Sequence, residues 1–344
     1  MIYCENSALQ ALALHIVGNK LKDDELYKSE RLVDLDESLR KVMVQYFIAS
    51  FTLDERFSFA HHSGLDFNVA FHVVSCIFDN PDDLLKYSTQ LADHLYESSN
   101  HNNIKGGEFY VAYFHDIECD GIVADAIGLF KSENKNTFLR ITSTDRSSYL
   151  DYEEGVDIRK LDKGCMIFNT KKEEGYVVAV VDNTNKSDAK YWVEDFLGVK
   201  PRQDKYFQTQ NFMSVCKSFV TKQLPSEFEV SKADQAEMLN RSVQYFKEND
   251  EFSIKDFTET VLEQPEVIES FQSYKERYQT ERDIEIEDSF AISNDAVKKQ
   301  SRSFKSVIKL DKNFHIYVHG NRNLIEQGED EKGRYYKVYY NEES

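Results

Sequence analysis

A chain of 344 residues that is 41% hydrophobic and 13% aromatic can bury substantial cores but is too long for one typical core, so global disorder is excluded and two or three domains are expected. Its formal net charge of −19 excludes an ordinary DNA-coating protein, whose affinity comes from Lys and Arg displacing counterions. No run approaches the roughly 20 apolar residues of a membrane span, and the start, MIYCENSALQ, has neither a basic nor a continuous apolar segment, so a soluble chain that stays in the cytoplasm is expected.

In chain order, Leu9 to Val17 is the first strand candidate, though its dense Ala and Leu leave helix and strand both open. Leu32 to Leu35 reads as a short strand. Asp36 then caps a helix whose Leu39, Val42, Met43, Tyr46, Phe47 and Phe51 form one stripe. Phe57 to Gly64 is a loop carrying His61 and His62. Helices follow over Asn68 to Phe78 and after Asn80, where Pro81 takes the first helical position and Asp82 and Asp83 complement the dipole. Glu108 to Ile117 and Ile122 to Phe130 form a hairpin around Cys119-Asp120-Gly121, with a further strand at Phe138 to Ile141.

Two more strands, Cys165 to Asn169 and Tyr176 to Val181, flank a turn in which Gly175 supplies the positive φ. A short helix then starts near Ser187 or Asp188 and is stopped by Gly198. About five consecutive antiparallel strands result, with the early helices available to cover one face. From Lys205 the pattern is helical. One amphipathic helix ends before Pro225, Ser231 with Asp234 and Ser253 with Asp256 read as capping boxes, and Gln264-Pro265 starts another helix. Ser293 or Asn294 caps a short helix, and strands at Lys305 to Leu310, Phe314 to Val318, Leu324 to Gln327 and Arg334 to Tyr340 close the chain. The expected fold is α+β: an N-terminal antiparallel sheet with covering helices over 1–200, an acidic helical subdomain over 201–282, and a C-terminal helix with a small antiparallel sheet over 283–344.

Chemistry is sparse. Cys4, Cys76, Cys119, Cys165 and Cys216 are odd in number, scattered and set in apolar patterns, as reduced core thiols are. No C-x-x-C or H-E-x-x-H occurs, so neither zinc nor any other cofactor is expected, and phosphate-loop, nucleophile-elbow and kinase signatures are missing too. Adjacent loop histidines such as His61 and His62 are usually solvated. Asp116, Glu118 and Asp125, with Lys131, lie in one sheet region and form the weakest functional candidate, a metal-dependent nuclease.

Charge is more informative. Residues 226 to 290 hold 18 acidic and 7 basic side chains, whereas residues 291 to 323 hold 7 basic and 2 acidic ones. Lys298, Lys299, Arg302, Lys305 and Lys309 fall on one helix, the loop after it and the next strand, close enough to meet several phosphates, or to pair with the acidic block before them. Tyr317, Tyr335, Tyr336, Tyr339 and Tyr340 suit either base stacking or the rim of a small core.

The element order, Gly106-Gly107 before a strand pair, Asp157-Ile158-Arg159-Lys160-Leu161-Asp162, the helix end Asp195-Phe196-Leu197-Gly198, and Asp288-Ser289-Phe290 before a helix and terminal sheet together resemble the bacterial nucleoid-associated proteins of the NdpA/YejK type. The resemblance spans nearly the whole chain. It implies a cytoplasmic bacterial protein found with the nucleoid, associated with DNA, without enzyme activity, and it transfers no base-reading or active-site residues. Two functions are therefore expected in order: DNA binding through Lys298, Lys299, Arg302, Lys305 and Lys309, and docking of the acidic helices on a basic, DNA-acting protein without direct DNA contact. A homodimer is open on the general frequency of two-fold assemblies, and no membrane partner is expected.

Overall fold

Leu9–Val17 is a strand because two cores claim its alternate side chains: Leu9 and Leu12 enter one, Ala13 and Val17 the other. The computed structural model describes residues 2–3, 5, 8–51, 55–119, 122–144, 147–184, 191–304, 307–310, 314–317 and 324–340. The chain divides into two units, Met1–Arg202 and Gln203–Ser344.

In the first unit the elements are β1 (Ile2–Tyr3), β2 (Leu9–Val17), β3 (Leu26–Tyr27), α1 (Glu37–Ile48), β4 (Phe57–Phe59), α2 (Val69–Asp79), α3 (Leu84–Ser98), β5 (Gly107–Cys119), β6 (Ile122–Ser132), β7 (Asn136–Thr144), β8 (Ser147–Gly155), β9 (Lys163–Phe168), β10 (Val177–Asp182) and β11 (Val199–Pro201). Among the described residues nine strands form one antiparallel sheet in the order β11-β4-β10-β9-β6-β5-β2-β3, with β1 also on β5. Along β5, Phe109, Val111 and Tyr113 pack with Phe71 and Val74 of α2 and Leu91 and Leu95 of α3, while Tyr110, Ala112 and Phe114 pack with Val44 and Phe47 of α1. Helices thus cover both faces of the sheet rather than one. This is why its central strands read as continuous apolar runs.

The caps follow the sequence. Asp36 accepts Leu39 N–H at 2.7 Å, and Asn68 accepts Phe71 N–H at 2.8 Å. Gly175 has φ +86°, and a Cβ there would come within 2.3 Å of Phe59 O. Residues Tyr191–Leu197 form a π-helical turn that buries Trp192 completely, and Gly198 ends it at φ +60°. The expected caps Ser187 and Asp188 lie outside the described residues, as do the hairpin residues Asp120 and Gly121.

Two strand expectations are corrected. Leu32 to Leu35 is not a strand: Val33 donates one backbone bond, to Leu12 O at 2.8 Å, and Val33 and Leu35 pack on the core without a ladder. Phe138 to Ile141 lies within β7, which does not continue the large sheet. It pairs with β8, Leu139 opposite Tyr152 and Ile141 opposite Leu150, while β6 pairs directly with β9. The β8 segment, SSYLDYEEG, carries too many acidic side chains to read as a core strand.

The second unit contains α4 (Lys205–Ser218), α5 (Leu224–Glu227), α6 (Lys232–Glu248), β12 (Glu251–Ser253), α7 (Ile254–Phe257), α8 (Pro265–Arg282), β13 (Ser289–Ala291), α9 (Asn294–Ser301), β14 (Val307–Lys309), β15 (His315–Tyr317), β16 (Ile325–Asp330) and β17 (Gly333–Val338). The helical path runs through Pro225 instead of ending before it, because a π turn over Phe219–Gln223 leads into α5, in whose first turn a prolyl nitrogen is tolerated. Ser231 and Asp234 make both halves of a capping box, and Ser253 accepts Asp256 N–H at 3.4 Å. Phe212, Phe219, Phe246, Phe252, Phe257 and Phe271 are each fully buried in one aromatic core, which Ile286, Phe290, Val297 and Phe304 share. The terminal strands form two separate hairpins, β14–β15 and β16–β17; Ile308 and Ile325 meet Ala233 and Ala236 of α6.

Candidate nucleic-acid interface

The basic block is placed by α9. Ser293 caps it by accepting Ala296 N–H at 3.3 Å, and its own N–H reaches Thr209 Oγ1 of α4 at 3.0 Å. Ala296 and Val297 are buried, which turns Lys298, Lys299 and Arg302 outward at the helix C-terminus, where cations complement the dipole. Lys298 and Arg302 lie one turn apart, both exposed, and among the described residues neither enters an ion pair. Lys299 Nζ lies 5.4 Å from the Tyr206 ring centroid. Lys305 is outside the described residues, and of Lys309 only the backbone, in β14, is described.

The acidic helices carry their own countercharges. Arg241 pairs with Glu263, and the nearly buried Lys275 meets Asp288 at 2.6 Å. Glu259, Glu266, Glu269 and Glu276 are exposed. Tyr317, Tyr335, Tyr339 and Tyr340 are exposed as well, Tyr336 partly buried.

In the first unit, the proposed nuclease carboxylates do not converge. Asp125 spends one oxygen on Tyr113 Oη at 2.8 Å and the other on His115 Nδ1 at 2.8 Å. Burial acts to raise its carboxyl, but these hydrogen bonds hold it below the usual carboxylate range. Asp116 sits at a bulge with φ +51°, and no group of three His, Cys, Asp or Glu among the described residues could hold a metal ion. His61 and His62, their rings 4.2 Å apart, border an open groove of about 750 Å³ beside Phe67 and Asp195.

Lys131 belongs to an arrangement that the sequence did not disclose. It stands opposite Lys163 in the β6–β9 ladder, and both side chains are fully buried. Like charges across a ladder repel, and a buried ammonium needs partners. The Tyr191 ring lies between them, 5.3 Å from Lys131 Nζ and 5.0 Å from Lys163 Nζ. Lys131 donates to Tyr191 Oη at 3.1 Å and Lys105 O at 2.7 Å and pairs with Glu133 at 3.3 Å; Lys163 reaches both Asp182 oxygens at 2.8 Å. Burial nevertheless pushes the Lys131 ammonium down and the Tyr191 phenol up. With each charge matched, this cluster fastens the π turn to the sheet. The described cysteines are equally structural: Cys119, Cys165 and Cys216 are buried thiols outside any disulfide and Cys76 is partly buried.

No helix among the described residues is long and apolar enough to cross a membrane. A family model described as "Nucleoid-associated protein YejK" matches residues 13–343, nearly the whole chain. Among curated proteins nothing matches.

Proposed function

The chain belongs to the nucleoid-associated protein YejK family, and from that premise we propose that it is a non-enzymatic nucleoid protein that meets DNA phosphates directly through the basic end of α9. The observation that carries this reading is the exposure of Lys298 and Arg302 on one helix end without ion-pair partners among the described residues. Had the block served only to neutralise the acidic helices, those two cations would be engaged, yet the acidic helices use Arg241 and Lys275 instead. Lys299 is exposed at the same helix end, and Lys305 and Lys309 follow closely in sequence. A net charge of −19 does not forbid such contact, because at physiological salt each patch's field reaches only about 8 Å.

The test is a DNA titration across salt concentrations. Log affinity should fall linearly with log salt, with a slope of about −0.9 per phosphate neutralised. Replacing Lys298, Lys299, Arg302 and Lys305 with Glu should weaken binding at least about tenfold and flatten the slope by about one for each phosphate that is no longer neutralised. Unchanged binding and slope would discard the assignment.

The second reading has its own supporting observation, the exposed carboxylates Glu259, Glu266, Glu269 and Glu276 around α8. In it the chain reaches the nucleoid by docking on a basic, DNA-acting protein, complementary charge steering the encounter. A wild-type chain that binds no DNA at low salt, yet retains such a protein from nuclease-treated lysate in a salt-sensitive way, would select it.

A further inference from the structure

Among the described residues the ribbon β7–β8 is an element whose burial is incomplete. Neither strand contributes a residue to any core among the described residues, and no third strand flanks the pair there. A lone two-stranded hairpin is marginal in water and needs something packed on it. Its two faces differ. On one, Arg140 pairs with Glu153 at 2.6 Å and Asp151 at 3.8 Å and stands between two exposed aromatics, Phe138, which lies over Gly155, and Tyr149, so the apolar surface of that face is interrupted by charge. On the other, the opposed pairs Leu139–Tyr152 and Ile141–Leu150 stand side by side, exposed by 70%, 66%, 69% and 68% respectively. Ser143 and Ser148 follow toward the tip, and Thr137 and Glu154 toward the base.

We propose that this apolar face is the contact between two copies of the chain, related by a two-fold axis that lays one ribbon antiparallel on the other. Area is the first argument. The four side chains offer roughly 500 Å² of contiguous apolar surface, near the upper end for a monomer, and two such faces bury about 1,000 Å², the threshold for a specific interface. Symmetry is the second: the face is built of two adjacent apolar pairs, so a two-fold rotation sets each pair on the other pair of the second ribbon, as an isologous contact requires. Charge is the third. In a chain of net charge −19 the central four residues are uncharged, and Arg140 is already engaged on the opposite face, leaving no cation there to select an acidic partner or a phosphate. DNA is disfavoured as the occupant for the same reason.

Sedimentation equilibrium of the full chain tests this, with a species of twice the 40.1 kDa chain mass expected at micromolar concentration. Because the contact is apolar and the rest of the molecule repels its copy, dimerisation should tighten as salt rises, opposite in sign to docking by charge. Leu139→Glu with Leu150→Glu should weaken the dimer at least about 100-fold, a loss appropriate to charges placed in an interface centre, while Thr142→Glu on the other face should leave it intact. Hydrogen exchange in the wild-type ribbon supplies a measurement independent of any variant: its amides should gain protection as concentration rises. A wild-type monomer at all concentrations, a dimer that survives the double substitution, or protection that ignores concentration overturns the proposal, whether the face then takes up lipid vesicles or a different protein.

Discussion

At His15 a single proton is fixed by geometry. The side chain is fully buried; Nδ1 accepts Ser29 N–H at 3.1 Å, so the proton sits on Nε2 and is shared with Ser88 Oγ at 2.9 Å, whose own hydroxyl donates to Leu85 O at 2.7 Å. Protonating Nδ1 would set one N–H against another. Burial, reinforced by Lys28 and opposed by Asp93, pushes the imidazole from 6.5 down to about 4. Between those values the unfolded chain binds a proton that the folded chain refuses, so stability falls as pH drops through that window. The contribution is about 3 kcal/mol if the full shift is realised. Urea unfolding near pH 7 and near pH 4.5 should therefore show a steeper acid loss for the wild type than for His15→Gln, and equal losses would remove His15 as the cause. None of this was legible in the sequence, where His15 is one polar letter in an apolar run. The same holds for Lys131 and Lys163, because their meeting depends on the β6–β9 register, and local periodicity does not determine a register.

At the scale of elements the chain was far more legible, since a cap is a local interaction between neighbours in sequence. Asp36, Asn68, Ser231 and Ser293 all cap the helices that the sequence pattern starts at or beside them. Asn68 does more than cap. Its Nδ2 donates to Leu197 O at 2.9 Å, Gly198 O at 3.0 Å and Ala60 O at 3.1 Å, so one amide joins the start of α2 to the end of the π turn. Asn68→Ala should cost about 2 kcal/mol, a cap plus buried carbonyls left without donors, whereas Asn80→Ala, whose side chain makes no cap bond, should cost less than half that in the same denaturation series. What local signals did not give was strand partnership. Apolar residues after a polar turn marked Phe138 to Ile141 as a strand, but nothing in four residues says whether the next ladder is the large sheet or a free ribbon. Leu32 to Leu35 failed in the converse way: its apolar residues reached the core without finding an edge to pair with.

For the whole molecule, charge opposes the function proposed for its smallest basic segment, and that opposition can be measured. Acidic residues outnumber basic ones by 61 to 42, yet the cations of α9 are exposed, so under the proposed function DNA would approach against the mean field and bind in a local one. The mean field is long-ranged only at low salt, reaching about 30 Å at 0.01 M but about 8 Å at 0.15 M. Replacing Glu266, Glu269 and Glu276 of α8 with Gln removes three negative charges from exposed positions without touching a core residue. If α9 holds DNA directly, affinity should rise severalfold at about 0.01 M salt, and the gain should shrink toward nothing at about 0.15 M as screening isolates the two surfaces. The salt slope near physiological ionic strength should stay that of the wild type, because the same phosphates are neutralised. Docking on a basic protein predicts the reverse sign, a loss of capture at every salt concentration at which the wild type captures. Titrating the triple variant against DNA and against such a protein, each across salt, therefore assigns the acidic surface either the role of a repulsive background or that of the binding site.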